Sequence, residues 1–288
     1  MPSVDANGIT LEYERSGSGE PLLLVMGLGA QLTAWPAEMV QRLEDAGFDV
    51  IRFDNRDIGL SSACDWEPPS AVRAFIGRLL RRPVPTGYAV DDMADDAAGL
   101  LDALGIERAH VVGASMGGMI AQALAIRHPA RVCSLTSIMS NPGDGSGGAM
   151  AKVLLAFARR DEPTRENAVE LAVTTFRLIS GPHFREEEYR PLAEAAVARS
   201  FRPEGVARQT AAVMASPDRT PGLSRLAIPA LVVHGLIDPL VKPSGGIATA
   251  KAIPGSSLLM FGDMAHDLPA PRLPEVVDAI ARVASKAG

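Results

Sequence analysis

Six short, largely apolar runs recur along the chain: PLLLVM (21–26), DVIRFD (49–54), AHVVGA (109–114), VCSLTSIM (132–139), PALVVHG (229–235) and SSLLMF (256–261). A strand with one wet face alternates apolar and polar residues; a run apolar throughout belongs to a strand covered on both faces. Helical patterns separate most of these runs. PAEMVQRLEDAG (36–47) opens on Pro36 and closes at Gly47, and VDDMADDAAGLLDAL (90–104) carries acids early and stops at Gly105. Residues 116–128 and 271–286 complete the set. This alternation predicts an α/β fold with a mostly parallel sheet between two helical layers. Ahead of it, residues 2–15 predict a hairpin, with Asn7-Gly8 suited to a type I′ turn.

One interval breaks the rhythm. The runs ending near 139 and beginning near 229 are too far apart for a single crossover helix. NPGDGSGG (141–148) reads as a flexible entry loop, followed by amphipathic stretches at 149–160, 164–179, 185–200 and 204–215. The expected organisation is therefore one core, residues 1–140 and 227–288, carrying an inserted helical cap over 141–226.

Composition narrows the classes of function. A net charge of −6 and the lack of a basic stripe argue against a nucleic-acid surface. Arg78, Arg81 and Arg82 cluster on one short segment only, where a solvated helix face is the simplest reading. Two distant cysteines, Cys64 and Cys133, suggest neither a disulfide framework nor a zinc site, and Cys133 reads as a small buried side chain. MPSVDANGIT lacks the basic and apolar regions of a signal peptide, and no run approaches membrane-spanning length. A cytoplasmic protein without membrane contact is expected.

Directly after the first apolar run stands VMGLGAQLT (25–33). A glycine turn here suits either a dinucleotide-binding loop or a loop that aims backbone N–H groups at a developing oxyanion. Gly27 and Gly29 supply G-x-G, but Leu32 occupies the third glycine position of the dinucleotide pattern, although Asp54 would serve as its acid. Residues elsewhere decide the matter.

Residues 113–117, GASMG, form G-x-S-x-G at a strand-to-helix junction. A nucleophile on so sharp a turn needs small neighbours two positions away, and the helix N-terminus behind it favours negative charge. Ser115 is the expected nucleophile; the structural alternative is a helix N-cap between glycines. A serine nucleophile needs a base, and the base an orienting acid, in the chain order Ser, Asp or Glu, His. His110 lies in a core strand, His128 at a helix C-terminus, His183 in the cap, and His234 in a strand. His266, in the loop FGDMAHDLP, remains. Asp238, just past the strand PALVVHG, is the expected orienter; Asp263 is second, and Asp267 is also too near His266 in sequence to orient it. Asp54, Arg56 and Asp57 read as a carboxylate–guanidinium pair pinning a loop.

These residues resemble the α/β-hydrolase superfamily, in which G-A-S-M-G, H-G-L-I-D-P-L-V and M-A-H-D-L-P occur in this order. The segment DNRDIGLS (54–61) is similar to the family's D-x-R-G-x-G-x-S, with Asp57 where glycine is commoner. The likeness runs from about residue 8 to 282 and is weakest across the cap; VMGLGAQLTAW and MAHDLP look most like the branch of aclacinomycin methylesterases and similar bacterial esterases. The resemblance implies a mostly parallel, eight-stranded sheet with helices on both faces. It implies Ser115 as nucleophile, His266 as general base and acid, Asp238 as orienter, and the amides of Leu28 and Met116 as the oxyanion hole. One departure stands out, Met26 where most relatives have histidine.

The expected reaction is hydrolysis of a small, largely apolar carboxylic ester through an acyl-enzyme, with no metal or organic cofactor. Gly27, Trp35 and Met119 are placed at the substrate by their nearness to the catalytic loops. Met150, Leu154, Phe157 and Phe176 form apolar cap faces, mostly core, with a few lining the pocket. The alternatives are an acyltransferase, perhydrolase, lactonase or thioesterase with the same triad, or a small-molecule receptor. A monomer or homodimer with a small-molecule ester as its only partner is expected.

Overall fold

The computed structural model describes residues 2–69 and 84–287; the Arg78, Arg81 and Arg82 cluster lies outside the described residues. Eight strands form one sheet in the order β1-β2-β4-β3-β5-β6-β7-β8. They are β1 (Ser3–Ala6), β2 (Ile9–Gly17), β3 (Glu20–Val25), β4 (Phe48–Phe53), β5 (Ala109–Ala114), β6 (Val132–Ile138), β7 (Ala230–Gly235) and β8 (Ser257–Phe261). β1 and β2 are the expected hairpin, and β2 joins β4 antiparallel; every pairing from β4 to β8 is parallel. Asn7 and Gly8 both take positive φ (49° and 77°), as a type I′ turn requires.

The apolar runs are uniform because each face of the sheet is covered. In β3, Leu23 and Val25 pack under α2 (Val90–Ala103) and α3 (Met116–Arg127), while Leu22 and Leu24 pack against α1 (Ala37–Asp45) and α10 (Leu273–Ala284). Successive strand side chains point to opposite faces, so covering both makes β3 apolar at consecutive positions, while β5, β6 and β7 also bury His110, Ser134, Thr136, Ser137 and His234. α2 stops as its sequence predicts: Gly105 has φ +68° and the Ile106 amide bonds back to Leu101 O at 2.9 Å.

From β3 the chain moves outward to β4 and then returns to lay β5 on the other side of β3. That reversal opens a crevice between the carboxyl ends of β3 and β5, the position where open α/β sheets bind ligands. The loop Met26–Leu32 leaves one side of it and Ser115 the other.

Between β6 and β7 stand α4 (Ala151–Ala158), α5 (Ala168–Ile179), α6 (Glu186–Arg199), α7 (Pro203–Ala215) and the single turn α8 (Thr220–Leu223). A further helix, α9 (Pro243–Ala252), fills the β7–β8 crossover. Its sequence, PSGGIATAKA, conceals it, because two glycines weaken helical propensity. Packing explains one of them: a Cβ on Gly246 would strike the His234 ring. Cys133 is only half-buried, on an alternating stretch of β6, rather than a core side chain. Among the described residues no helix is long and apolar enough to cross a membrane.

Candidate active site

Ser115 sits between β5 and α3 with φ 55° and ψ −119°, a backbone conformation that a non-glycine residue adopts only under constraint. The constraint is visible. The Ser115 amide donates to Ile138 O at 2.9 Å, and the Gly118 and Met119 amides donate to Ser115 O. A Cβ on Gly113 would overlap the Gly117 carbonyl, and one on Gly117 would overlap Val25 O. Both glycines are therefore required by backbone-to-backbone approach, as the motif predicts. Met116 is the first residue of α3, so its amide precedes the helix's own hydrogen-bond ladder.

His266 Nε2 lies 2.9 Å from Ser115 Oγ, and His266 Nδ1 lies 2.8 Å from Asp238 Oδ2. A carboxylate only accepts, so Nδ1–H donates to Asp238, and in the neutral imidazole this leaves Nε2 to accept from the serine hydroxyl. Asp238 is buried, and its other oxygen accepts the Leu240 and Val241 amides at 2.8 and 2.9 Å. Those bonds fix the carboxylate against rotation. His266 is held as firmly: its own amide donates to Ile179 O at 2.9 Å, and buried Asp267 accepts the Ala265 and Gly181 amides.

Three of the other histidines have separate partners, while His234 Nε2 lies 3.5 Å from Asp238 Oδ2, the oxygen that His266 contacts. His110 contacts Ser134 Oγ and Glu20, His128 contacts Asp95, and His183 contacts Asp263. Asp263 thus faces His183 and Arg272 rather than His266, and those partners hold its carboxyl well below the usual carboxylate range, Arg272 foremost. His234 is wholly buried and donates Nε2–H to Val241 O at 2.8 Å, bracing the loop that carries Asp238. Burial pushes its ring pKa down.

The loop before Trp35 is fastened at nearly every peptide. Asn55 donates to Met26 O at 2.9 Å, Ala30 N–H bonds Gly27 O, Gly29 N–H bonds Gln209 Oε1, and Leu32 N–H bonds Asp54 Oδ1. Gly27 lies against Ser115: a Cβ there would be 3.2 Å from Ser115 Cβ. The Met26 side chain turns into the core with Leu22, Leu24 and Trp35, so replacing histidine at 26 leaves an apolar group beneath the loop.

The charged segment pairs differently from the expectation. Arg56 makes a two-pronged bond to Asp96 of α2, both contacts at 2.6 Å, rather than to Asp54 or Asp57. Asp54 instead takes Arg199 of α6, and Asp57 takes Arg208 of α7. Each carboxylate is buried and accepts nearby backbone amides, and the guanidinium paired with it comes from the inserted helices, of which sequence proximity to Arg56 gave no sign.

The expected substrate residues scatter. Gly27 lies against Ser115, and the side chain of Leu28, expected in the oxyanion hole, is 38% exposed. Trp35 and Met119 are core residues of the two layers. Met150 adjoins the loop of Asp238 through its amide bond to Pro239 O at 2.8 Å. α4 buries Val153 alone, leaving Leu154 and Phe157 exposed rather than packed as core. Phe176 stacks on Tyr189 at 4.2 Å between α5 and α6 and is thereby engaged within the insertion.

A model of the alpha/beta hydrolase fold family matches residues 20–270. Rhodomycin D methylesterase of Streptomyces peucetius is 30% identical, over 91% of this chain and 90% of its own. 2-Hydroxymuconate semialdehyde hydrolase of Pseudomonas sp. strain CF600 is also 30% identical, over 91% and 85%. The crystal structure of an enol-lactonase from Burkholderia xenovorans LB400 superposes with a TM-score of 0.73 at 25% identity, covering 99% of each chain.

Proposed function

The chain belongs to the alpha/beta hydrolase family, and from that premise we propose that it is a carboxylic ester hydrolase using Ser115, His266 and Asp238 as its catalytic residues. The observation that carries this reading is the unbroken relay from Ser115 Oγ through His266 to Asp238, at 2.9 and 2.8 Å. Likeness to a methylesterase over nine-tenths of both chains supports ester chemistry.

In this account His266 Nε2 removes the Ser115 proton as Oγ attacks the ester carbonyl. The amides of Leu28 and Met116 hold the oxyanion; losing one such donor typically costs ~3–4 kcal/mol of transition-state stabilisation. The alcohol leaves with the proton from His266, and water then cleaves the acyl-enzyme by the same route. Every step uses groups of the chain and water.

We assign 141–226 as a cap over this site rather than a separate domain, because its helices bond to both catalytic loops. The substrate is a small, largely apolar ester. Leu28, Ile237 and Met150, each partly exposed on or beside a catalytic loop, favour an apolar acyl or alcohol group. A set of p-nitrophenyl esters of graded acyl length tests the reading, with Ser115→Ala as control. Turnover should favour one range of acyl length and vanish in the variant. Undiminished turnover in Ser115→Ala would remove the assignment. Water, alcohols and peroxide competing for one acyl donor separate hydrolase from transferase and perhydrolase.

A further inference from the structure

A backbone amide stabilises an oxyanion best when it is fixed before the charge develops, so what fixes the Leu28 amide matters to the rate. Gly27–Ala30 is a tight turn: the Ala30 amide bonds Gly27 O at 3.2 Å, and Gly29, the third residue, has φ +71°. Positive φ at that place is the signature of a type II turn, which differs from type I by a flip of the central peptide. That central peptide carries the Gly29 N–H.

The group that receives this N–H comes from 180 residues away. Gln209 of α7 accepts it at 2.9 Å through Oε1 and donates Nε2–H to Arg56 O, also at 2.9 Å. Gln209 is fully buried. Its oxygen faces a donor and its nitrogen an acceptor, so reversing the side-chain amide would break both bonds. Val206, one turn earlier on α7, closes the same spot: a Cβ on Gly29 would be 3.2 Å from Val206 Cγ2. Nothing in the proton relay needs Gln209, yet the turn bearing the Leu28 amide rests on it.

We propose that Gln209 is a positioning residue for ester hydrolysis, anchoring the Gly27–Ala30 turn through its central Leu28–Gly29 peptide, the neighbour of the peptide that offers the Leu28 N–H to the developing oxyanion. The inserted helices thereby set the electrostatics of the chemical step as well as covering the site. This inference rests on the proposed triad and oxyanion hole.

The test compares Gln209→Met and Gln209→Glu with wild type on one p-nitrophenyl ester, rates being referred to sites titrated by a phosphonate so that only folded enzyme counts. Methionine keeps the length but offers Gly29 no strong acceptor; glutamate keeps the acceptor. For Gln209→Met, kcat should fall about 10- to 100-fold, the range for a weakened oxyanion donor, with KM within about threefold. Affinity for a trifluoromethyl ketone should fall by the same factor as kcat/KM, and the acid limb of the pH profile should not move. Gln209→Glu, which keeps an acceptor for Gly29 but turns an oxygen toward Arg56 O, should retain a higher kcat than Gln209→Met without reaching that of wild type. If Gln209→Met does not fold, Gln209→Asn, one methylene short of Gly29, is read in the same way. Wild-type kcat in the Met or Asn variant, with Ser115→Ala inactive, overturns the inference and leaves the triad standing. Activity in Ser115→Ala overturns the triad itself.

Discussion

In the proposed mechanism Leu28 contributes a main-chain amide, so at the scale of one residue the identity of its side chain should matter less than the presence of its N–H. Leu28→Ala keeps the donor and removes a half-exposed side chain. Leu28→Pro removes the donor. Proline should lower kcat by about 10²- to 10³-fold, the cost of one oxyanion donor, while alanine should alter mainly KM. Steady-state kinetics of the two variants check this, and equal kcat values would place the donor elsewhere. The same scale explains why three residues that the fold brings into one hydrogen-bonded row, the proposed triad, could be picked from the sequence. Ser115, Asp238 and His266 each stand where a strand run ends, flanked by the glycines or loop residues that such a junction needs. The side chain that holds the neighbouring Gly27–Ala30 turn was hidden, because a buried glutamine on a helix looks like any polar position until its partner is known.

At the scale of elements, the insertion is tied to the core by groups that a sequence pattern does not pair. Arg199 of α6 reaches Asp54 at 2.7 Å and Gln31 at 2.6 Å, and Gln31 in turn donates to Ala196 O and Ser200 O. The segment after α5 meets the His266 loop through Ile179 O and the Gly181 amide. These bonds fix α5 to α7 over the site, whereas α4 presents Leu154, Leu155 and Phe157 to solvent. Amphipathic periodicity forecast four helices here and found their places within a few residues. It misjudged the burial of α4, since an apolar stripe records which side chains share a face and not whether anything covers that face. Removing Arg199 tests the anchoring. Arg199→Met leaves the fully buried Asp54 carboxylate without its cation, a change that costs about 3–5 kcal/mol when a buried pair loses one partner. The Leu32 and Leu60 amides that Asp54 also accepts place the expected loss at the lower end, ~3 kcal/mol, read from urea denaturation. An unchanged midpoint would mean that the pair contributes nothing net.

For the whole molecule, the two-sided sheet fixes how stability responds to acid. His110 in β5 and His234 in β7 are both pushed below the ordinary histidine pKa of 6.5, burial being the leading cause in each. A histidine with a lowered pKa in the fold takes up its proton more readily when unfolded. Its contribution is complete above the unfolded value and is lost as pH falls from about 6.5 toward the folded value. The urea midpoint should therefore drop between pH 7.5 and pH 5.5, and drop less in His234→Gln, which keeps a donor for Val241 O. A midpoint independent of pH would contradict this. Asp263 acts at a lower pH: its depressed carboxyl withdraws its small, solvent-screened contribution only once the carboxylate range is crossed.

The central claim is that Ser115 carries the acyl group. Wild type and Ser115→Ala should be mixed with a p-nitrophenyl ester, quenched in acid within the first turnover, digested and weighed by mass spectrometry. The account predicts one acyl increment on the peptide containing Ser115, with a matching burst of nitrophenol, and neither in the variant. An acyl group on any other residue, or a full burst from Ser115→Ala, would contradict it.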